Sequence, residues 1–321
     1  MAAIQARLAG QEGMLTVLDI GTGPFALLAI AAARAGARKV YAIEVNSTVV
    51  QQARQAVEEA GFAETIEIFK GFSTGVTLPS KVDLIVSEIV GSAASEEGVY
   101  ATIRDAHQRF ALRPTDPASW IPHRIQTVAA PASWALHFGL GPPAYDWGGI
   151  KGPPRIFNVD ANLQLLAEPA LLEDISFADP DLPTAGIVRT PPVTFALTSG
   201  RMRANAKTYY DHFCAKGSDE EEAAELAEAV AGSFSGLAMW PRLVLDVAEE
   251  FVVESRGSAG EPRESSWQTL LPLVTERPNP VSAGDSVEVN LAVELREEVA
   301  KAPRYVLEGS YCAAGLAPDS D

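Results

Sequence analysis

The stretch "VLDIGTGPFALL", residues 17–28, narrows most what this chain can fold into. An apolar run leads into two glycines one residue apart, then a proline, then apolar residues that continue at helical spacing. A near-continuous apolar strand is covered on both faces, and such strands occur in parallel sheets flanked by helices. Gly21 and Gly23 allow a tight turn and close backbone approach to a ligand. The helix behind them offers unpaired amides, and Pro24 suits its first turn.

The same alternation continues to about residue 122. Strands are expected at 14–20, 39–45, 65–70 and 81–88, and helices at 24–35, 47–60 and 96–111. This is an α/β domain, residues 1–122, built on a parallel sheet. After "WIPHR" the pattern changes, which predicts a second domain over 123–321. Short, turn-bounded strands are expected at 192–198, 236–247, 267–274 and 286–295, the last with Val287, Val289, Leu291, Val293 and Leu295 on one face. That alternation predicts an antiparallel β-barrel. Two helical patches interrupt it: an arm near 160–183, helical over 160–174, and an insertion at 199–232. In the insertion Ser218 reads as the N-cap and Gly232 as the stop of a helix over 217–232.

Composition excludes several functions. The formal charge of −17 over 321 residues argues against a phosphate-backbone partner and favours cationic substrates. The longest apolar run, 25–33, falls short of the roughly 20 residues of a membrane-spanning helix. No segment has the layout of a signal peptide, so a cytoplasmic address is expected. Cys214, Cys312 and the histidines show no metal-ligand spacing; His107, His123 and His137 read as structural.

Asp19 and Glu44 add chemistry to the glycine turn. Glu44 ends the second strand, 21 residues after Gly23, and suits a ribose diol. Asp19 would meet the cationic amino group of S-adenosylmethionine and repel a pyrophosphate, which favours a methyl donor over NAD. A purely structural glycine turn is the third reading. A second acidic stretch, "VSEIVGSAASEEG" (86–98), places Glu88, Glu96 and Glu97 at the mouth of the 81–88 strand with small residues between.

"VLDIGTG", "AIEVN", "KVDLIVSEIVGSAASEEGVYATIRDAHQRF", "WIPHR", "GLAMW" and "SSWQTLL" occur in the order seen in protein arginine methyltransferases, and from about residue 14 onward the chain resembles that family. The resemblance implies a Rossmann-like class I methyltransferase sheet followed by a β-barrel with a helical arm. It implies S-adenosyl-L-methionine as cofactor, S-adenosyl-L-homocysteine as product and no metal. Asp19, Gly21, Gly23, Glu44 and Glu88 would hold the cofactor, with Ser73 and Thr74 standing where the family has an adenine-contacting acid. Glu88 and Glu97, nine positions apart, match the family's double-glutamate loop and would grip the acceptor guanidinium. Glu96 is an extra acid, either a site wall or a solvated helix start. Trp267 matches the family's Thr-His-Trp loop, with Ser266 where histidine is usual.

Some positions depart from the family. A helix bearing aromatics precedes the first motif in relatives; here "AIQARLAG" supplies a single helix, and no Tyr or Phe precedes Phe25. Ile89, Val90, Ser92, Ala93, Ala94 and Ser95 replace bulky residues between the glutamates, which implies either a wider pocket or a substrate other than a protein-bound arginine. The expected acceptor is an arginine-containing protein, a peptide or a small molecule, and no nucleic-acid or membrane partner is expected. The arm implies a homodimer. The alternatives are a small-molecule N- or O-methyltransferase, for which "YYDHF" offers Tyr209 and His212, and a non-catalytic methyltransferase-like scaffold.

Overall fold

A computed structural model describes residues 1–256, 262–296 and 302–314. Strands β1 (Thr16–Ile20), β2 (Lys39–Glu44), β3 (Ile66–Lys70), β4 (Leu84–Ser87) and β5 (Trp120–Ile121) form one sheet in the order β3-β2-β1-β4-β5. All its pairings are parallel. The order reverses between β1 and β4, and ligands of such sheets bind beyond the carboxyl ends of the strands at that point. Ile20 stands opposite Ser87 in the register, so Gly21 and Glu88 leave the sheet side by side.

Each face of the sheet is covered, which is why β1 is buried throughout. On one side Val17, Val40, Leu84 and Val86 pack with Ala29 and Ile30 of helix α2 (Leu27–Arg34) and Ile4 of helix α1 (Ala2–Leu8). On the other, Leu18, Ile20 and Ile85 join Ile103 of helix α4 (Val99–Arg109) and continue into the second domain through Ile125, Phe177 and Met239. Helix α3 (Ser47–Glu59) is capped by Asn46, whose side chain accepts the amides of Thr48 and Val49.

The second domain is antiparallel, as alternation predicts. Its central strand, Arg124–Trp134, pairs with Gly236–Val244 along one side and with Leu163–Leu165 and Ala170–Ser176 along the other. Another sheet sets Gly186–Arg189, Val193–Ala196 and Arg304–Cys312 on Ser286–Leu295. Val287, Val289, Leu291 and Val293 turn inward to the core shared with the first sheet.

Several expectations need correction. Residues 160–174 are not a helical arm: they supply the strands Leu163–Leu165 and Ala170–Ser176, and Leu163, Leu166, Leu172 and Ile175 are buried. The alanine and glutamate there favour a helix, but pairing with the central strand wins. The insertion is the helical hairpin Ser199–Lys216 and Glu220–Ala231, and its second helix is capped by Asp219, not Ser218. Gly232 ends it as expected. Helix α2 begins at Leu27, after a turn in which Ala26 is left-handed, so Pro24 precedes the helix. Among the described residues no helix is long and apolar enough to cross a membrane, and no group of side chains could hold a metal ion.

Candidate active site

Two glycine positions fix the floor of the site. Gly21 has φ +78°, and a Cβ there would also lie 3.2 Å from Cγ2 of Ile89, in the loop after β4. Gly23 (φ +67°) donates its amide to Oε2 of Glu44 at 3.2 Å, while Oε1 of Glu44 accepts the Asn46 amide at 2.9 Å. The carboxylate at the end of β2 is thus fixed beside the glycine turn.

Asp19 is wholly buried beneath that turn. Its Oδ2 accepts the Thr22 hydroxyl at 2.6 Å and the Ala29 amide at 3.0 Å, while Oδ1 is buried with no partner. Burial pushes the carboxyl up to about 7, against the two hydrogen bonds. A buried acceptor without a donor is costly, and a cationic amino group supplies the missing donor and charge. The residues present therefore fit the methionine end of S-adenosylmethionine.

Ser73 and Thr74 lie in a short turn, Ser73–Gly75, after β3. Arg109 of α4 holds that turn by donating to the carbonyls of Ser73 and Val76, while Asp105 orients its guanidinium. No signal within "KGFSTGVTLP" pointed to Arg109, which lies more than thirty residues on.

The glutamate loop runs from the end of β4 to the start of α4. Glu88 and Glu97 both remain solvent-accessible. Burial pushes the Glu88 carboxyl above its usual range and the Glu97 charge adds to the rise, while the Val90 amide and Trp267 indole oppose it. Burial also raises Glu97, with the Glu96 charge adding to it. The two acids are therefore near enough to feel each other while still open to a ligand. The Trp267 indole donates to the Val90 carbonyl at 2.9 Å, tying the second domain to the loop. Ser266 is exposed beside it.

Glu96 is engaged within the protein. Its carboxylate accepts the Ser92 amide at 3.0 Å and pairs with Arg155 of the second domain at 2.5 Å. This curl requires Gly91, where a Cβ would stand 2.5 Å from the Cβ of Glu96. Of the small residues between the glutamates, Val90, Ser92, Ala93, Ala94 and Ser95 are buried. The loop meets the second domain where Ala94 bonds Thr127 and Ser95 bonds Glu173 and Tyr305. Behind it is a cavity of about 520 Å³ lined by Glu96, Trp147, Arg155, Met239 and Tyr305 among others.

Tyr209 and His212 are not brought to this place. Tyr209 is completely buried in the helical hairpin, where its hydroxyl bonds the Ser133 carbonyl at 2.9 Å and the Asn162 carbonyl at 3.2 Å. His212 lies edge-on to Phe213. His107, His123 and His137 are buried, and His107 stacks on Trp120 at 5.0 Å.

Residues 1–96 match the family model for ribosomal protein L11 methyltransferase (PrmA). Protein arginine N-methyltransferase PRMT10 of Arabidopsis thaliana is 40% identical over 100 residues, 31% of this chain and 25% of that protein. An arginine N(omega)-methyltransferase of Streptomyces achromogenes subsp. streptozoticus is 39% identical over 103 residues, 31% of this chain and 28% of that protein. The matched region thus spans about a quarter of the length of these relatives. The solved Trypanosoma brucei PRMT1 enzyme-prozyme heterotetrameric complex with AdoHcy shares the fold over 96% of this chain and 93% of its own, with a TM-score of 0.63 and 16% identity. In sequence the first domain is thus similar to arginine methyltransferases, and in fold the whole chain is similar to a solved protein arginine methyltransferase.

Proposed function

We propose that this protein transfers a methyl group from S-adenosylmethionine to a guanidino nitrogen of arginine, held by Glu88 and Glu97. The reading rests chiefly on the two accessible carboxylates, electrostatically coupled beside the glycine turn. When bound, S-adenosylmethionine supplies an electrophilic methyl on a sulfonium. Asp19 would hold its amino group, Gly21 and Gly23 would let it approach the backbone, and Glu44 would take its ribose. Ser73 and Thr74 would line the adenine end. Glu88, nearest the turn, would also border the cofactor.

A guanidinium has a pKa above about 12 and spreads its charge over three nitrogens, so it is a poor nucleophile. Carboxylates that accept from its planar fork draw positive charge to the gripped nitrogens and enrich the remaining terminal one. That nitrogen is then oriented toward the methyl carbon. Transfer to that nitrogen would form a C–N bond as the C–S bond breaks, with the electron pair left on sulfur, and the nitrogen would afterwards give up a proton. Much of the acceleration comes from orientation. Trp267 would keep Glu88 in place, and Ser266 would stand at the rim.

The acceptor is an arginine compound of protein, peptide or free form. The Streptomyces relative, named for arginine rather than for a protein, supports the small form. The hydroxyl-methylating alternative loses its residue basis with the Tyr209 phenol bonded inside the hairpin. Cytoplasmic residence and self-association belong to the same proposal, although residues 160–174 no longer supply an arm for a dimer. The test offers labelled S-adenosylmethionine with arginine-rich protein, short peptides and free arginine in parallel. Acid-stable methylarginine in any arm supports the reading. Bound S-adenosylhomocysteine without transfer in every arm supports a non-catalytic scaffold instead.

A further inference from the structure

Beneath the glutamate loop lies a carboxylate that the mechanism above does not use. Glu173, on the strand Ala170–Ser176, is 3% exposed. The register with the central strand shifts between Thr127 and Val128, leaving Leu172 as an extra residue and setting Glu173 opposite Thr127. Bulges of this kind re-aim side chains. Oε2 of Glu173 accepts the Thr127 hydroxyl at 2.8 Å, and Oε1 accepts the hydroxyls of Ser95 at 2.6 Å and Tyr100 at 3.2 Å.

The network then passes into the loop. The Thr127 hydroxyl, having donated to Glu173, accepts the Ala94 amide at 3.0 Å. The Ser95 hydroxyl, likewise committed as a donor, accepts from the Tyr305 phenol at 2.7 Å. Burial alone raises the Glu173 carboxyl, and the hydroxyls around it act in the opposite sense. A buried carboxylate supplied with this many donors is a rigid node, because loss of any one leaves a polar group unpaired.

The residues around Glu97 are thus pinned on both sides. Ala94 and Ser95 are held before it, Glu96 is paired with Arg155, and Tyr100 is held after it. Among the described residues, Glu97 itself has no hydrogen-bond or ion-pair partner. We infer that Glu173 is a positioning residue, holding the second half of the glutamate loop from the second domain and so fixing the aim of Glu97. This rests on the role proposed for Glu97.

The test compares wild type, Glu173→Gln and Tyr305→Phe in the full chain by amide hydrogen exchange, S-adenosylhomocysteine affinity, and kcat and KM for the arginine acceptor. For Glu173→Gln, exchange over 93–98 rises about tenfold while β1 and β4 stay unchanged. The affinity for S-adenosylhomocysteine holds and kcat falls about a hundredfold, the scale of a misplaced catalytic group. Tyr305→Phe, which removes one hydroxyl and little volume, moves the same readouts in the same direction by less. Should Glu173→Gln fail to fold, Tyr305→Phe carries the test. Unchanged loop exchange, or a rise spread evenly over the molecule, overturns the inference. A wild type that methylates no arginine compound overturns the proposed function instead, while exchange, which needs no turnover, still decides what Glu173 holds.

Discussion

Asp19 is a buried carboxylate beside the glycine turn, with one oxygen left without a partner. Its folded value of about 7 lies above the ordinary 3.8, so in the ligand-free protein ionisation opposes folding. Stability from this group is therefore full below about 4, declines as pH rises, and reaches its lower level above about 7. Binding has the opposite sign, because a cationic amino group requires the ionised form. Titration calorimetry with S-adenosylhomocysteine should show affinity falling about tenfold per pH unit below 7, with a flat, weaker profile in Asp19→Asn. A wild-type profile flat through 7 would remove Asp19 from the cofactor site. The glycine turn with Asp19 and Glu44 could be singled out from one local motif, and Glu88 and Glu97 from the family resemblance of their loop. Arg109, Arg155, Glu173 and Tyr305 could not, since only tertiary pairing brings them to the turn and the loop. The bonds that Ala94 and Ser95 make to the second domain were not legible for the same reason.

Among elements, the first domain followed its sequence closely. Near-continuous apolar strands and helix signals gave β1 to β4 and helices α2 to α4 within a few residues. Caps were legible where the side chain competes with nothing else. Asn46 accepts two amides at the start of α3, at 2.9 and 3.3 Å, so Asn46→Ala should cost about 1 kcal/mol in denaturant unfolding. An unchanged midpoint would mean that α3 is held by packing of Val50, Ala53 and Val57 alone. The stretch 160–174 failed because its leucines suit a helical stripe as well as paired strands, and the partner strand lies some forty residues away. A local pattern cannot choose between them, but burial against Arg124–Trp134 does.

At the scale of the molecule, one apolar core runs from the first sheet into the second domain, which explains how the acidic loop is shared between them. Trp120 sits at the junction, stacked on His107 and edge-on to Phe177 at 6.1 Å. The first domain supplies the glycine turn and both glutamates, and the second supplies the contacts that hold the loop around them. The change from parallel to antiparallel pairing after Ile121 was legible from the change of strand pattern, but this shared core was not, because it depends on which strand faces meet. The central claim is that two carboxylates activate a guanidino nitrogen. It is tested most directly by methyl transfer to the arginine acceptor in wild type, Glu88→Gln and Glu97→Gln at saturating S-adenosylmethionine. Each variant should bind S-adenosylhomocysteine within a few-fold of wild type and lose about 10²–10³ in kcat, the scale of removing one preorganised electrostatic contact. Variants that turn over at the wild-type rate would contradict the two-glutamate mechanism.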